Sequence, residues 1–134
     1  IDDGFPIETI LLVGVRNMWK SEIEFVKEKG IRIINMNQLM MNLEDSCDII
    51  MEFASGKELY LSIDIDVIDP AFAPATGYHE QGGLSSRQMI YLTQRLSKVK
   101  SLRAVDIVEI NSVKDERNNN LTIKLGAKIL SELL

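Results

Sequence analysis

Asp64, Asp66 and Asp69 place three carboxylates within the run SIDIDVIDP, residues 62–70. Next to a buried strand such a cluster repels itself and loses hydration. A bound divalent cation relieves both problems, because it takes hard oxygen ligands and brings a compensating 2+ charge. Asp64 and Asp66 are two residues apart, so an extended backbone carried through Asp66 would aim both side chains to the same side. A solvated acidic turn, with one Asp capping the loop, also fits this spacing. An EF-hand loop starting at Asp64 does not: its sixth position is Asp69 where Gly is needed, and its twelfth is Ala75 where Glu is needed. An aspartate-nucleophile phosphotransferase of the haloacid dehalogenase kind also ends an apolar strand in Asp-x-Asp. That chemistry wants a Thr or Ser soon after and a later acidic pair, whereas Val67 and Ile68 follow here and no Asp-Asp occurs downstream. It stays as the most remote alternative.

The surrounding elements must hold these carboxylates at the carboxyl end of a strand, where sites form in a helix-covered parallel sheet. The chain reads as alternating strands and helices. TILLVGV, residues 9–15, predicts a first strand. Ser21 and Glu24 read as a capping box opening a helix that Gly30 ends, with Met18 and Trp19 ahead of it expected to pack as a hydrophobic staple rather than to touch a neighbouring subunit. A short strand is expected at 31–34, then one helix capped by Asn37, carrying Leu39, Leu43, Ile50 and Phe53, and closed by Gly56. The strand 59–64 leads into a long loop, 67–83. Ser85 and Gln88 form a second capping box before a helix that buries Met89, Leu92, Leu96 and Val99. A strand at 103–110 and a helix from about Leu121 to Leu134 complete the α/β pattern. Gly82 and Gly83 are expected to make a tight turn that a side chain would obstruct.

The 134 residues are 46% hydrophobic and 26% charged, which fits a folded globular chain. A formal net charge of −5 and scattered basic residues argue against a nucleic-acid partner. No stretch has the roughly 18 apolar residues that span a bilayer, so no membrane partner is expected. The single cysteine, Cys47, reads as a packing residue, and a reducing cytoplasm is the expected compartment. The chain begins at Ile1, which raises the expectation of a fragment or a processed product.

Read continuously, SIDIDVIDPAFAPATGYHEQGGLSSRQ closely resembles the signature of the ureohydrolase family of arginases and agmatinases. Ser62, Asp64, Asp66, Asp69-Pro70, Phe72-Ala73-Pro74, Gly77 and Gly82-Gly83-Leu84 carry the match. LLVGVRN and DIVEIN extend it towards the two ends of the chain. The resemblance implies an incomplete three-layer α/β/α fold with a parallel sheet, residues 1–134 being the C-terminal part of a single ureohydrolase domain. It implies hydrolysis of a guanidinium compound, agmatine or arginine, to urea and an amine at two Mn2+ ions, in a trimer or hexamer. Asp64 would bridge the metals, Asp66 would ligate one of them, and Glu109 would face the substrate guanidinium. Gly77-Tyr78-His79 stands where many members have Gly-Thr-Pro, and the variant His-Glu-x-Gly-Gly-Leu-Ser that begins at His79 is similar to a branch that includes plant-type arginases. His79 would orient substrate or a metal-bound water, or else hydrogen-bond backbone as an ordinary loop histidine. The family's upstream motifs Gly-Gly-Asp-His and Asp-Ala-His-x-Asp are absent, and His79 is the only histidine. The chain alone is therefore expected to be inactive, needing an N-terminal half or another chain, and a non-catalytic form of the fold is the competing reading.

Overall fold

A computed structural model describes residues 4–134, in two compact units, Ile1–Ser46 and Cys47–Leu134. In the first unit, strand β1 (Leu11–Val15) pairs in parallel with β2 (Arg32–Asn35), with helix α1 (Lys20–Lys29) between them in sequence. The register shifts between Val13 and Val15, where Gly14 takes φ +79°. This is a bulge of the kind that only glycine enters cheaply. The expected start of the strand at Thr9 is instead a 3-10 turn, Ile7–Thr9, with the Thr9 backbone N–H and Oγ1 both donating to the Pro6 carbonyl at 2.9 and 2.6 Å.

The local start signals moved by two residues in two places. Trp19, not Ser21, precedes α1, and its backbone N–H donates to Glu22 Oε2 at 2.6 Å. Glu24 pairs instead with Lys20 at 3.8 Å. Trp19 is 77% exposed, so the expected staple does not form through it. Asn35, not Asn37, caps α2 (Met36–Met41) through a reciprocal pair with Gln38: Gln38 N–H to Asn35 Oδ1 at 2.9 Å, and Asn35 N–H to Gln38 Oε1 at 3.0 Å. The single expected helix is two. Asn42 takes φ −152°, and its Oδ1 accepts from the N–H groups of Glu44 and Asp45, which starts α3 (Leu43–Ala54) afresh.

In the second unit β3 (Leu59–Asp64) pairs in parallel with β4 (Leu102–Val108), and α4 (Ser86–Leu96) lies between them in sequence. Ser85 and Gln88 form the expected box, and α4 buries Met89, Leu92, Thr93 and Leu96. Val99 falls beyond its end, in the turn before β4. A four-residue helix α5 (Ser112–Asp115) and a 3-10 turn (Glu116–Asn118) lead to α6 (Leu121–Leu133), which packs beside α4. One face of the β3–β4 pair carries Leu61, Ile63, Val105 and Ile107. Helix α6 closes over it: a Cβ at Gly126 would stand 2.9 Å from Ile110 Cδ1 and 4.0 Å from Ile107 Cδ1. The opposite face carries Tyr60, Ser62 and Asp64 in register with Ala104, Asp106 and Val108, and it is open, with Tyr60 56% exposed. Cys47 is fully buried, as its reading as a packing residue expected.

Candidate functional site

β3 runs straight to Asp64 and then stops. Residues Ile65–Val67 form a 3-10 turn, and the Asp66 N–H donates to Asp64 Oδ1 at 2.9 Å. The extended backbone that would have aimed Asp64 and Asp66 to one side does not continue through Asp66. The turn is sequence-driven, because a short Asp side chain bonds readily to the N–H two residues on. Asp64 ends exposed and Asp66 half-buried. Asp69, the third carboxylate, belongs to the loop. Its Oδ1 accepts from the Ala71 N–H at 3.0 Å, and its Oδ2 accepts from the N–H groups of Gly82 and Gly83 at 2.8 and 3.3 Å. It works as a clasp that folds residues 70–83 back onto the strand end. Gly83 makes the close approach possible: a Cβ there would fall 2.5 Å from Asp69 N and 2.7 Å from Val67 O.

Glu109 enters from the neighbouring strand. Asp64 pairs with Val108, so Glu109 is the first residue past the register partner of Asp64. It takes φ +65°, a left-handed conformation that costs a side-chain-bearing residue of order 1 kcal/mol and so needs surrounding support. That conformation ends β4 two residues short of the expected Ile110. The support comes from the loop. Thr76 bridges antiparallel to Ile110, and the Asn111 N–H donates to Ala75 O at 2.9 Å. Lys114 Nζ donates to Thr76 O at 3.1 Å, and the Ala75 N–H donates to Thr122 Oγ1 at 3.0 Å. These bonds hold Gly77 so close to Glu109 that a Cβ would meet Glu109 Oε2 at 3.1 Å. His79 lies two residues on and is exposed. Its Nε2 is 2.7 Å from Pro74 O, and since a carbonyl only accepts, Nε2 carries the proton.

Two polar groupings in this unit were not singled out from the sequence. On the open face, Tyr60 Oη donates to Asp106 Oδ2 and Ser62 Oγ donates to Asp106 Oδ1 at 2.7 Å. The two hydroxyls, Tyr60 first, hold the Asp106 carboxyl below its usual range, and the bond to Asp106 pushes the Tyr60 phenol up. The alternation Tyr60-x-Ser62-x-Asp64 is the signal that would have shown these side chains sharing a face. Asp115 is fully buried and accepts from the Thr122 and Ile123 N–H groups at 3.1 and 2.7 Å. It caps α6 from outside the helix, a tertiary role with no local sequence pattern.

Asp64 and Asp66 supply oxygen donors of the type that Mn2+ favours. Among the described residues, however, no group of three or more His, Cys, Asp or Glu side chains could hold a metal ion. Asp69 is committed to backbone, and His79 turns to Pro74 O. The residues present do not by themselves fit a binuclear centre.

The Arginase family model matches residues 2–134, and the chain belongs to that family. It is 31% identical over 124 residues to an arginase from Bacillus caldovelox, covering 89% of this chain and 41% of that protein. It is 32% identical over 122 residues to an agmatinase from Bacillus subtilis, covering 90% and 40%. The solved structure of the Bacillus caldovelox arginase superposes with a TM-score of 0.87 at 28% identity, over 95% of this chain and 43% of that one. The proclavaminate amidinohydrolase of Streptomyces clavuligerus gives 0.80 at 28% identity, over 92% and 40%. The fold is thus an incomplete arginase-like α/β/α fold, and the chain spans about two fifths of the length of these relatives. The family is one of ureohydrolases, which leaves the phosphotransferase alternative without support.

Proposed function

We propose that the protein, with metal ligands supplied from outside these 134 residues, hydrolyses a small guanidinium compound, agmatine or arginine, to urea and an amine at a pair of Mn2+ ions. The observation that carries the reading is the meeting of Asp64 and Glu109 at adjacent carboxyl ends of β3 and β4, with Gly77 of the signature loop against Glu109. Asp64 and Asp66 are the residues this chain would offer to the metals, which in such a centre lower the pKa of bound water. Glu109 offers a fixed carboxylate to a guanidinium, a charge-assisted pairing that recognises a planar cation. A reducing cytoplasm and a trimeric or hexameric assembly belong to the same reading.

A non-catalytic role for the chain alone is the second reading, favoured by the incomplete ligand set among the described residues. One experiment separates them. Bound manganese and urea release are measured for the 134-residue chain and for the protein extended upstream to the length of its relatives. The extended protein is expected to hold about two Mn2+ and release urea, and the short chain to do neither. An extended protein without manganese or urea release would sink the hydrolase reading. Urea release by the short chain would sink the claim that its ligand set is incomplete.

A further inference from the structure

A cleft of about 450 Å3 in the second unit takes no part in the carboxylate grouping. It is lined by Pro74, Val113, Lys114, Arg117 and Asn118, so it holds two cations one helical turn apart and no carboxylate, in a chain of net charge −5. The intervening Glu116 lies outside the lining. Lys114 is anchored through its bond to Thr76 O at 3.1 Å, which uses one ammonium hydrogen and leaves two. Asn118 Nδ2 donates to the Lys114 carbonyl at 3.0 Å and keeps a second amide hydrogen. The Arg117 guanidinium brings five N–H donors, and among the described residues no hydrogen bond or ion pair engages its side chain. Pro74 and Val113 supply the apolar part of the lining, and Lys114 and Arg117 are themselves exposed, so both cations are open to an incoming solute.

We propose that this cleft binds a small oxyanion, a phosphate or a dicarboxylate. The Arg117 fork takes two oxygens and the anchored Lys114 ammonium supplies the point charge. A solvated pair of surface cations would attract anions diffusely, without saturation and without dependence on one residue. The built cleft differs in a second way. An anion there shares the Lys114 ammonium with the Thr76 carbonyl, so its arrival is felt at Thr76 and at Gly77 beside Glu109.

The test is an NMR titration of the isotope-labelled 134-residue chain, with inorganic phosphate and malonate added in separate arms at constant ionic strength. Saturable amide shifts are expected at Thr76, Gly77, Lys114, Arg117 and Asn118. Apparent affinity should fall about ten-fold in Arg117→Gln and in Lys114→Met, the loss of one charge-assisted contact. Lys98→Gln, which removes a remote exposed cation, should leave it unchanged. Saturation by either anion supports the site, and the tighter of the two assigns its class. Shifts that rise without saturating, an Arg117→Gln chain that binds like the parent, or an equal loss in Lys98→Gln would each overturn it.

Discussion

Gly77 and Glu109 show how little room one side chain has in this arrangement. A methyl group on residue 77 would come within 3.1 Å of Glu109 Oε2 and must displace it, while the backbone of the loop has no need to move. Gly77→Ala is therefore expected to leave the melting temperature close to that of the parent and to weaken guanidinium binding by the extended protein several-fold. Calorimetry and a binding titration check the two halves, and unchanged binding would detach Glu109 from the substrate. Asp64→Asn in the same protein is expected to abolish urea release, and retained turnover would remove Asp64 from the site. The Tyr60–Asp106 pair makes a prediction in pH. Asp106 is held low, so its contribution to stability is present above the ordinary carboxylate range and is lost as pH falls through its depressed value. Tyr60 is held high, so its contribution is present below the ordinary phenol range and is lost as pH rises through its elevated value. Ultraviolet titration should show Tyr60 ionising late in the parent chain, and Asp106→Asn should return it towards the ordinary phenol range. A tyrosine that stays late in Asp106→Asn would refute the pairing as the cause.

At the level of elements, Gly83 and Ser85 set the junction between the signature loop and α4. A Cβ at residue 83 meets backbone atoms of Ile68 and Asp69, which do not yield as a side-chain tip would. Gly83→Ala is expected to destabilise the chain by about 1–3 kcal/mol, an overpacking cost, whereas Ser85→Ala removes a cap worth about 1 kcal/mol. Urea denaturation ranks them, and a Gly83→Ala chain as stable as the parent would contradict the packing at this turn. These elements also show what the sequence could reveal. The Ser85–Gln88 box, β3 and the Gly82-Gly83 turn were legible because each depends on residues a few positions apart. The start at Asn35 was misplaced because Asn37 could cap as well, and the one at Trp19 because its side chain makes no cap and the only signal is Glu22 accepting from the Trp19 N–H. The helix break at Asn42 was hidden under an uninterrupted apolar pattern. A long motif singled out Asp64 and Glu109, which the fold brings to neighbouring strand ends, and their roles there belong to the proposal. The clasp of Asp69 reaches across 13 and 14 positions and the outside cap of Asp115 across 7 and 8, each beyond the spacing of a local capping pattern.

For the molecule as a whole, the placement of Asp64 beside Glu109 rests on pairing two strands that have no hairpin between them. Ser62 and Asp106 meet across 44 positions of chain, with the signature loop and α4 enclosed in that span. The entropy of closing so long a loop must be met before any of the parallel ladder rewards it. The carboxylate grouping is thus expected to assemble late, on the slow side of the folding reaction. Helix α4 is a local structure, expected to form early and to shorten the effective gap. Weakening its Ser85 cap should accordingly slow refolding as well as lower stability, which stopped-flow fluorescence of a Ser85→Ala chain would register as a depressed folding limb. An unchanged folding limb with faster unfolding would place α4 after the strands. The order in which the polypeptide commits to its structure then decides how long the acidic strand end stays exposed to competing associations in a newly made chain.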